Sequence, residues 1–262
     1  MRKGAEELYR AMKNGFFVSS MMGVTDGAFC ARASQGCAMV QIGAYLAEPT
    51  ASVEEKGQDA RSFLPAETGA CADFLAEACR QATSLSDVVV CMNLATPKLE
   101  WGLDAAERFA EAGGHLVELN VHGGYKRYLD QGKLRAMVEP THQEELFRWV
   151  KAFNALAIPL IVKFHGQSNH QHLLPVLDEM ARLSPFGLHV NVRHEASKGP
   201  DVDLVRTVKD RFPGFLLVSG YVRSAADASA LFDAGADMVG IAAPVIKDAG
   251  YVGRLVEAFK TQ

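Results

Sequence analysis

Short apolar runs alternate with longer amphipathic ones along the whole of this 262-residue chain, and that alternation narrows its folds more than any other feature. The runs Phe16–Met21, Met39–Gly43, Val88–Asn93, Leu116–Asn120, Leu160–Phe164, Gly187–Val192, Phe215–Ser219 and Met238–Ala242 are mostly Val, Ile, Leu, Met and Phe. Parallel strands buried on both faces need such near-continuous apolar segments. Between them, apolar spacing predicts helices over Asp26–Gln35, Cys71–Ser84, Asp104–Ala112, Gln143–Leu156, His172–Leu183, Val202–Phe212 and Ser224–Ala234, and a last one over Gly250–Lys260. Asp26 and Ser224 stand where N-caps belong, and Gly36 and Gly235 follow helices as C-terminal stops. Parallel strands require crossovers, and eight strand–helix units are the number that closes a (β/α)8 TIM barrel. The expectation is a single-domain α/β barrel over residues 1–262. A doubly wound open sheet would want a GxGxxG turn after the first strand, and the sequence has none.

Composition bounds the function. Hydrophobic residues make up 48%, enough for one large core, while a net charge of −4 argues against chain-wide attraction to nucleic acid or anionic membrane. Five cysteines, an odd number without a CxxC pair, read as reduced thiols. Neither a signal-peptide pattern nor an apolar run of the ~20 residues a membrane span needs is present. A cytoplasmic protein with no membrane partner is expected.

Barrel enzymes build their sites at the carboxyl ends of the strands. The longest irregular stretches, Pro49–Pro65 and Val121–Thr141, both follow such ends. In the late units, Ser219-Gly220 and Gly240-Ile241-Ala242-Ala243, with the helix beginning near Ser224, have the layout of an anion-binding corner made from backbone N–H groups. Lys163 ends the apolar strand Leu160–Phe164 and should point into the barrel mouth, as a point charge on an anionic cofactor or a Schiff-base nucleophile. Glu118 and Asn120 share one face of their strand, with Lys163 a candidate partner for the carboxylate and Asn120 offering donor and acceptor to a planar ring. Gln41 and Asn93 either hydrogen-bond a heterocycle edge or satisfy each other inside the barrel. His122, His165, His170, His172, His189 and His194 gather after successive strand ends. The first strand lacks the His-x-His of barrel metallohydrolases, so no metal is expected, and His122 is the leading acid–base candidate.

The segment Ser20-Met21-Met22-Gly23-Val24-Thr25-Asp26-Gly27-Ala28-Phe29 resembles the opening loop of the tRNA-dihydrouridine synthases, FMN-dependent barrels akin to dihydroorotate dehydrogenases. The likeness continues in order through Glu118-Leu119-Asn120, Val162-Lys163 and Gly235-Ala236-Asp237. It implies FMN as cofactor, with Met21, Met22, Gly23, Gln41 and Asn93 on the flavin side and Lys163 near the N1/O2 edge of the ring. Asn191 would fall in the flavin site, and Ser219, Gly220, Ala242 and Ala243 would border the phosphate. Lys163, His122 and Asn120 would be the catalytic set.

Several positions depart from the family pattern. Its proton-donating cysteine falls on Gly123, leaving His122 or Tyr125 to supply the proton. Its His-Gly-Arg after the sixth strand reads Asn191-Val192-Arg193, and its Gly-Arg after the eighth reads Ala242-Ala243. The chain also ends after the last barrel helix, which with the acidic balance weighs against tRNA as substrate. The leading expectation is therefore a flavin-dependent oxidoreductase acting on a small-molecule or nucleobase, uracil-like substrate; homo-oligomerisation stays open. The alternatives are a flavin-free barrel enzyme using Lys163 on a phosphorylated metabolite, and a non-catalytic ligand-binding barrel.

Overall fold

A computed structural model describes residues 4–167 and 170–261, without the side chain of His170. Eight parallel strands close into a barrel: β1 (Gly15–Val18), β2 (Cys37–Leu46), β3 (Val89–Ala95), β4 (Leu116–Val121), β5 (Leu160–His165), β6 (Gly187–Asn191), β7 (Phe215–Ser219) and β8 (Met238–Ile241). Each strand pairs with its sequence neighbours, and β8 closes the ring against β1. The eight expected strands and their order stand, with ends shifted by a few residues.

The caps hold as expected. Asp26 Oδ1 accepts from the Phe29 N–H at 2.7 Å, Ser224 Oγ accepts from the Asp227 N–H at 3.1 Å, and Gly36 and Gly235 take left-handed φ of 78° and 104°. One helix begins earlier than expected, at Leu99 rather than Asp104. A Cβ on Gly102 would meet Thr96 Cγ2 at 2.9 Å and Phe153 Cζ at 3.0 Å. The glycine thus permits close packing within an unbroken helix.

Apolar spacing did not single out the helix Ala5–Met12, whose Leu8 and Met12 are fully buried. They join Phe17, Met39, Cys91, Leu116, Ile161, Leu217 and Met238 in a cluster that fills the amino-terminal end of the barrel. The barrel is a packed core at this end, leaving only the carboxyl rim for a ligand.

The two long segments expected to be irregular are partly helical, over Val53–Lys56, Gly57–Ser62, Lys126–Leu129 and Leu134–Val138. They pack on each other through Leu46, Phe63, Tyr128 and Leu134, with Met22 and Tyr125 alongside. Arg127 ties them, bridging the buried Glu48 and, at 2.9 Å, Glu55. Arg127→Ala is expected to cost roughly 1–3 kcal/mol by stranding Glu48. Amide hydrogen exchange should quicken across 48–62 and 126–139 while the barrel strands stay protected; unchanged exchange in those loops would show that this clamp does not hold them.

Candidate active site

The barrel interior above the apolar plug is polar, and one carboxylate organises it. Strand register sets Asn93 beside Glu118, Asn120 beside Lys163, and Lys163 beside His189. Glu118, fully buried, accepts hydrogen bonds from Gln41 Nε2 at 2.6 Å, Asn93 Nδ2 at 2.5 Å and His189 Nδ1 at 2.7 Å. The expected partner Lys163 is there too, its Nζ 3.5 Å from Glu118 Oε1. Burial alone would raise the Glu118 pKa, but His189, Lys163 and the hydrogen bonds from His189 and Asn93 outweigh it and bring it down to about 2. Burial lowers the His189 pKa despite the neighbouring carboxylate, so a neutral ring donates from Nδ1 to Glu118 and accepts the Ser219 hydroxyl at Nε2, 2.7 Å away.

Above this layer lies a cavity of about 430 Å³ at the carboxyl rim. Lys163, only 4% exposed, forms part of its floor and donates from Nζ to Ser19 Oγ and Ser20 Oγ, each at 3.3 Å. The ammonium therefore bridges the buried Glu118 below and the first turn of the barrel across the mouth. The turns after β1, β7 and β8 meet around one space, with Met22, Gly220, Ala242 and Ala243 in its wall.

Of the residues singled out by sequence, Met22, Asn120, His122, Lys163, Asn191, Ser219, Gly220, Ala242 and Ala243 line this cavity. Met21, Gly23, Gln41 and Asn93 do not. Gln41 and Asn93 are fully buried, and their amide N–H groups are spent on Glu118, so they face the carboxylate rather than a ligand edge. Met21 packs into the main core, and its N–H donates to Thr25 Oγ1 at 2.8 Å. Thr25 Oγ1 in turn lies against the Gly43 carbonyl, and Gly23, with φ of 73°, lets the chain double back. The Gly-Val-Thr-Asp motif is thus the scaffold of the first turn, and it delivers Ser19, Ser20 and Met22 to the cavity.

Asn120 is also used locally. Its Oδ1 accepts from the His122 and Gly123 N–H groups at 3.1 and 2.8 Å, and its Nδ2 donates to Asn93 Oδ1 at 2.9 Å. The side chain shapes the loop that presents His122. A Cβ on Gly123 would lie 3.2 Å from both Asn120 Oδ1 and Leu134 Cδ1, so the position of the family's cysteine has little room for a side chain.

The anion corner differs from expectation in two respects. Asp227 Oδ2 already accepts from the Arg223 and Ser224 N–H groups, at 2.9 and 3.0 Å, so that helix end is self-capped. Gly240 makes room for the Phe17 ring, whose Cζ would lie 2.3 Å from an added Cβ. What the corner retains is Gly220, at φ of 121°, and a side chain not singled out from sequence, Arg223, in the cavity wall. Its signal was available: Arg223 follows the β7 end directly, where barrel sites are built.

The histidines separate. His189 belongs to the buried network, His172 pairs with Glu139 at 2.7 Å, and His194 bonds Ser197 Oγ at 2.9 Å. The side chain of His170 lies outside the described residues. His122 and His165 stack with ring centroids 5.0 Å apart. Burial, then the charges of Lys163 and its neighbours, hold His122 well below its ordinary value, and burial with Arg193 and Arg135 brings His165 down to about 4. Among the described residues no group of three or more His, Cys, Asp or Glu side chains is placed to hold a metal ion, and no helix is long and apolar enough to cross a membrane.

No family model matches this sequence, and no curated protein matches it. Solved structures do. Morphinone reductase in complex with tetrahydroNAD aligns at 12% identity over 93% of this chain and 86% of that one, with a TM-score of 0.65. DHODH from Eimeria tenella, in complex with ferulenol, aligns at 14% identity over 94% and 80%, with a TM-score of 0.69. A chain of the tryptophan synthase complex from Pyrococcus furiosus aligns at 12% identity over 96% and 99%, with a TM-score of 0.58. At such identities the likeness is one of architecture: this chain folds as a (β/α)8 TIM barrel.

Proposed function

We propose that this chain is an FMN-dependent oxidoreductase that exchanges a hydride with a planar, uracil-like substrate. The observation that carries the reading is Lys163, an ammonium held on the floor of the cavity between the first turn and the last two. Morphinone reductase, bound there to tetrahydroNAD, and DHODH share the fold and support the reading by analogy. The residues present fit the cofactor. Gly220 lines the cavity without a side chain, at a φ of 121° that favours glycine, and Arg223 in the same wall offers the guanidinium that Ala242-Ala243 lacks. Much of the remaining wall is apolar, as a flat ring needs.

Bound FMN would supply the hydride chemistry. The chain supplies charge and proton handling. Lys163 would hold a fixed positive charge beside the bound ring and favour its anionic, reduced form. His122 lines the cavity, keeps its Nε2 without a hydrogen-bond partner and is held neutral by burial, so that nitrogen is free to meet a polar edge of the substrate. Tyr125 lines the same cavity, and burial, with Asp59 nearby, raises its pKa, so its phenol holds the proton that reduction would consume.

Purified protein titrated with FMN should show saturable binding and a perturbed absorption band near ~450 nm, a feature of the cofactor itself. Free FMN at every ratio would end the proposal. A Schiff base on Lys163 is disfavoured, because its Nζ is already engaged by Glu118 at 3.5 Å and by Ser19 and Ser20 at 3.3 Å. Borohydride trapping of a covalent adduct on Lys163 would reverse that judgement.

A further inference from the structure

The first turn has two sides. Ser19, Ser20 and Met22 line the cavity already described, while Gly23-Val24-Thr25-Asp26 lines a second cavity, of about 400 Å³. Ala44 belongs to both walls, so a single layer of backbone separates the two spaces. The segment that follows β2 completes the second cavity with Arg61 and Ser62, which end the turn Gly57–Ser62, and with Phe63. Tyr45 and Phe74 add two more rings, which meet edge to face with centroids 5.3 Å apart. Walls of this kind suit a flat apolar body.

The two polar residues stand among these rings with their donors unspent. Arg61 is exposed and makes no ion pair or side-chain hydrogen bond among the described residues. Ser62 is only 4% exposed, yet its hydroxyl has no hydrogen-bond partner among the described residues either. A Cβ added to Gly23 would have Ser62 Oγ 3.9 Å away as its nearest contact, so the hydroxyl is directed at the first turn across open space. Leaving a buried hydroxyl unpaired is costly, and a ligand that accepts from it removes the cost. Asp26, the acid in this wall, already accepts from the Phe29 N–H at 2.7 Å and forms no ion pair with Arg61. One guanidinium and one hydroxyl match a single carboxylate, which takes the planar N–H fork and the O–H together. A phosphate monoester, at about −1.5 to −2, would bring more charge than one arginine neutralises.

We propose that the second cavity binds a planar aromatic carboxylic acid, its carboxylate held by Arg61 and Ser62 and its ring set among Tyr45, Phe63 and Phe74. The site lies on the other side of the first turn from Lys163 and does not rest on the flavin reading.

The test is calorimetric titration of the full chain with 2-naphthoate, 2-naphthamide and 2-naphthyl phosphate, with and without saturating FMN. The carboxylate should bind at least ~10-fold more tightly than the amide and more tightly than the phosphate, equally well in both states of the protein. Arg61→Gln should weaken 2-naphthoate at least ~10-fold, Arg61→Lys should recover part of that loss, and Ser62→Ala should cost about 3-fold. Lys163→Met, which alters only the first cavity, should leave 2-naphthoate affinity unchanged, and unfolding midpoints check that each variant is folded. Absence of binding at ~1 mM, equal affinity for acid and amide, tighter binding of the phosphate, or indifference to Arg61→Gln would each overturn the proposal. So would displacement of 2-naphthoate by FMN or its loss in Lys163→Met, since either places the acid in the first cavity. If FMN itself fails to bind, the flavin reading falls alone, and the same variants decide this site on the free protein.

Discussion

Lys163→Met should bind FMN almost as well as the native protein and reduce it far less readily. Methionine keeps the length and bulk of the side chain and removes only the charge. That charge acts chiefly once the ring is anionic, so it is a differential interaction rather than uniform binding. The expected loss in the rate of flavin reduction is roughly 10²–10³-fold, the size seen when one preorganised electrostatic donor is removed. The midpoint potential should fall by about 50 mV, with 30 mV worth about 1.4 kcal/mol for a two-electron couple. Anaerobic photoreduction and a potential titration measure both without a known substrate. Losses of equal size in FMN affinity and in reduction would make Lys163 a binding residue only.

Glu118→Gln should be the most destabilising single change near the site. The carboxylate collects hydrogen bonds from Gln41, Asn93 and His189 and faces Lys163. A carboxamide offers one oxygen and turns its own N–H groups toward those donors. Breaking a buried charge network in this way costs about 3–5 kcal/mol. For a chain of this size that lowers the unfolding midpoint by roughly 10 °C. The pH dependence follows from the depressed pKa of Glu118. Its contribution is complete above the ordinary value of 4.5 and fades as pH falls toward about 2, where the folded carboxylate finally protonates. His122 and His165, kept neutral by burial, add a loss of the same sign that begins below their ordinary 6.5. Native and Glu118→Gln stabilities should therefore converge on acidification. Parallel curves down to pH 3 would mean that the carboxylate is not the keystone of the network.

Much of the site was legible strand by strand. Lys163 at a strand end after three apolar residues had to project into the mouth, and Glu118 on the neighbouring strand had to find a cation. Other assignments needed the third dimension. Gln41 and Asn93 sit on suitable strands, but whether their amides reach a ligand or a buried acid depends on how far up the barrel each lies. Gly240 in a late glycine turn looked like a phosphate residue until the Phe17 ring was seen beside it.

Apolar periodicity by itself determined the eight-unit barrel, because each buried strand and each amphipathic helix must hide its apolar face and the alternation leaves one economical closure. Only the tertiary structure decided which polar groups meet. Strand tilt and stagger set the height of every inward side chain around a closed ring. That height separates the layer satisfying Glu118 from the layer open to a ligand.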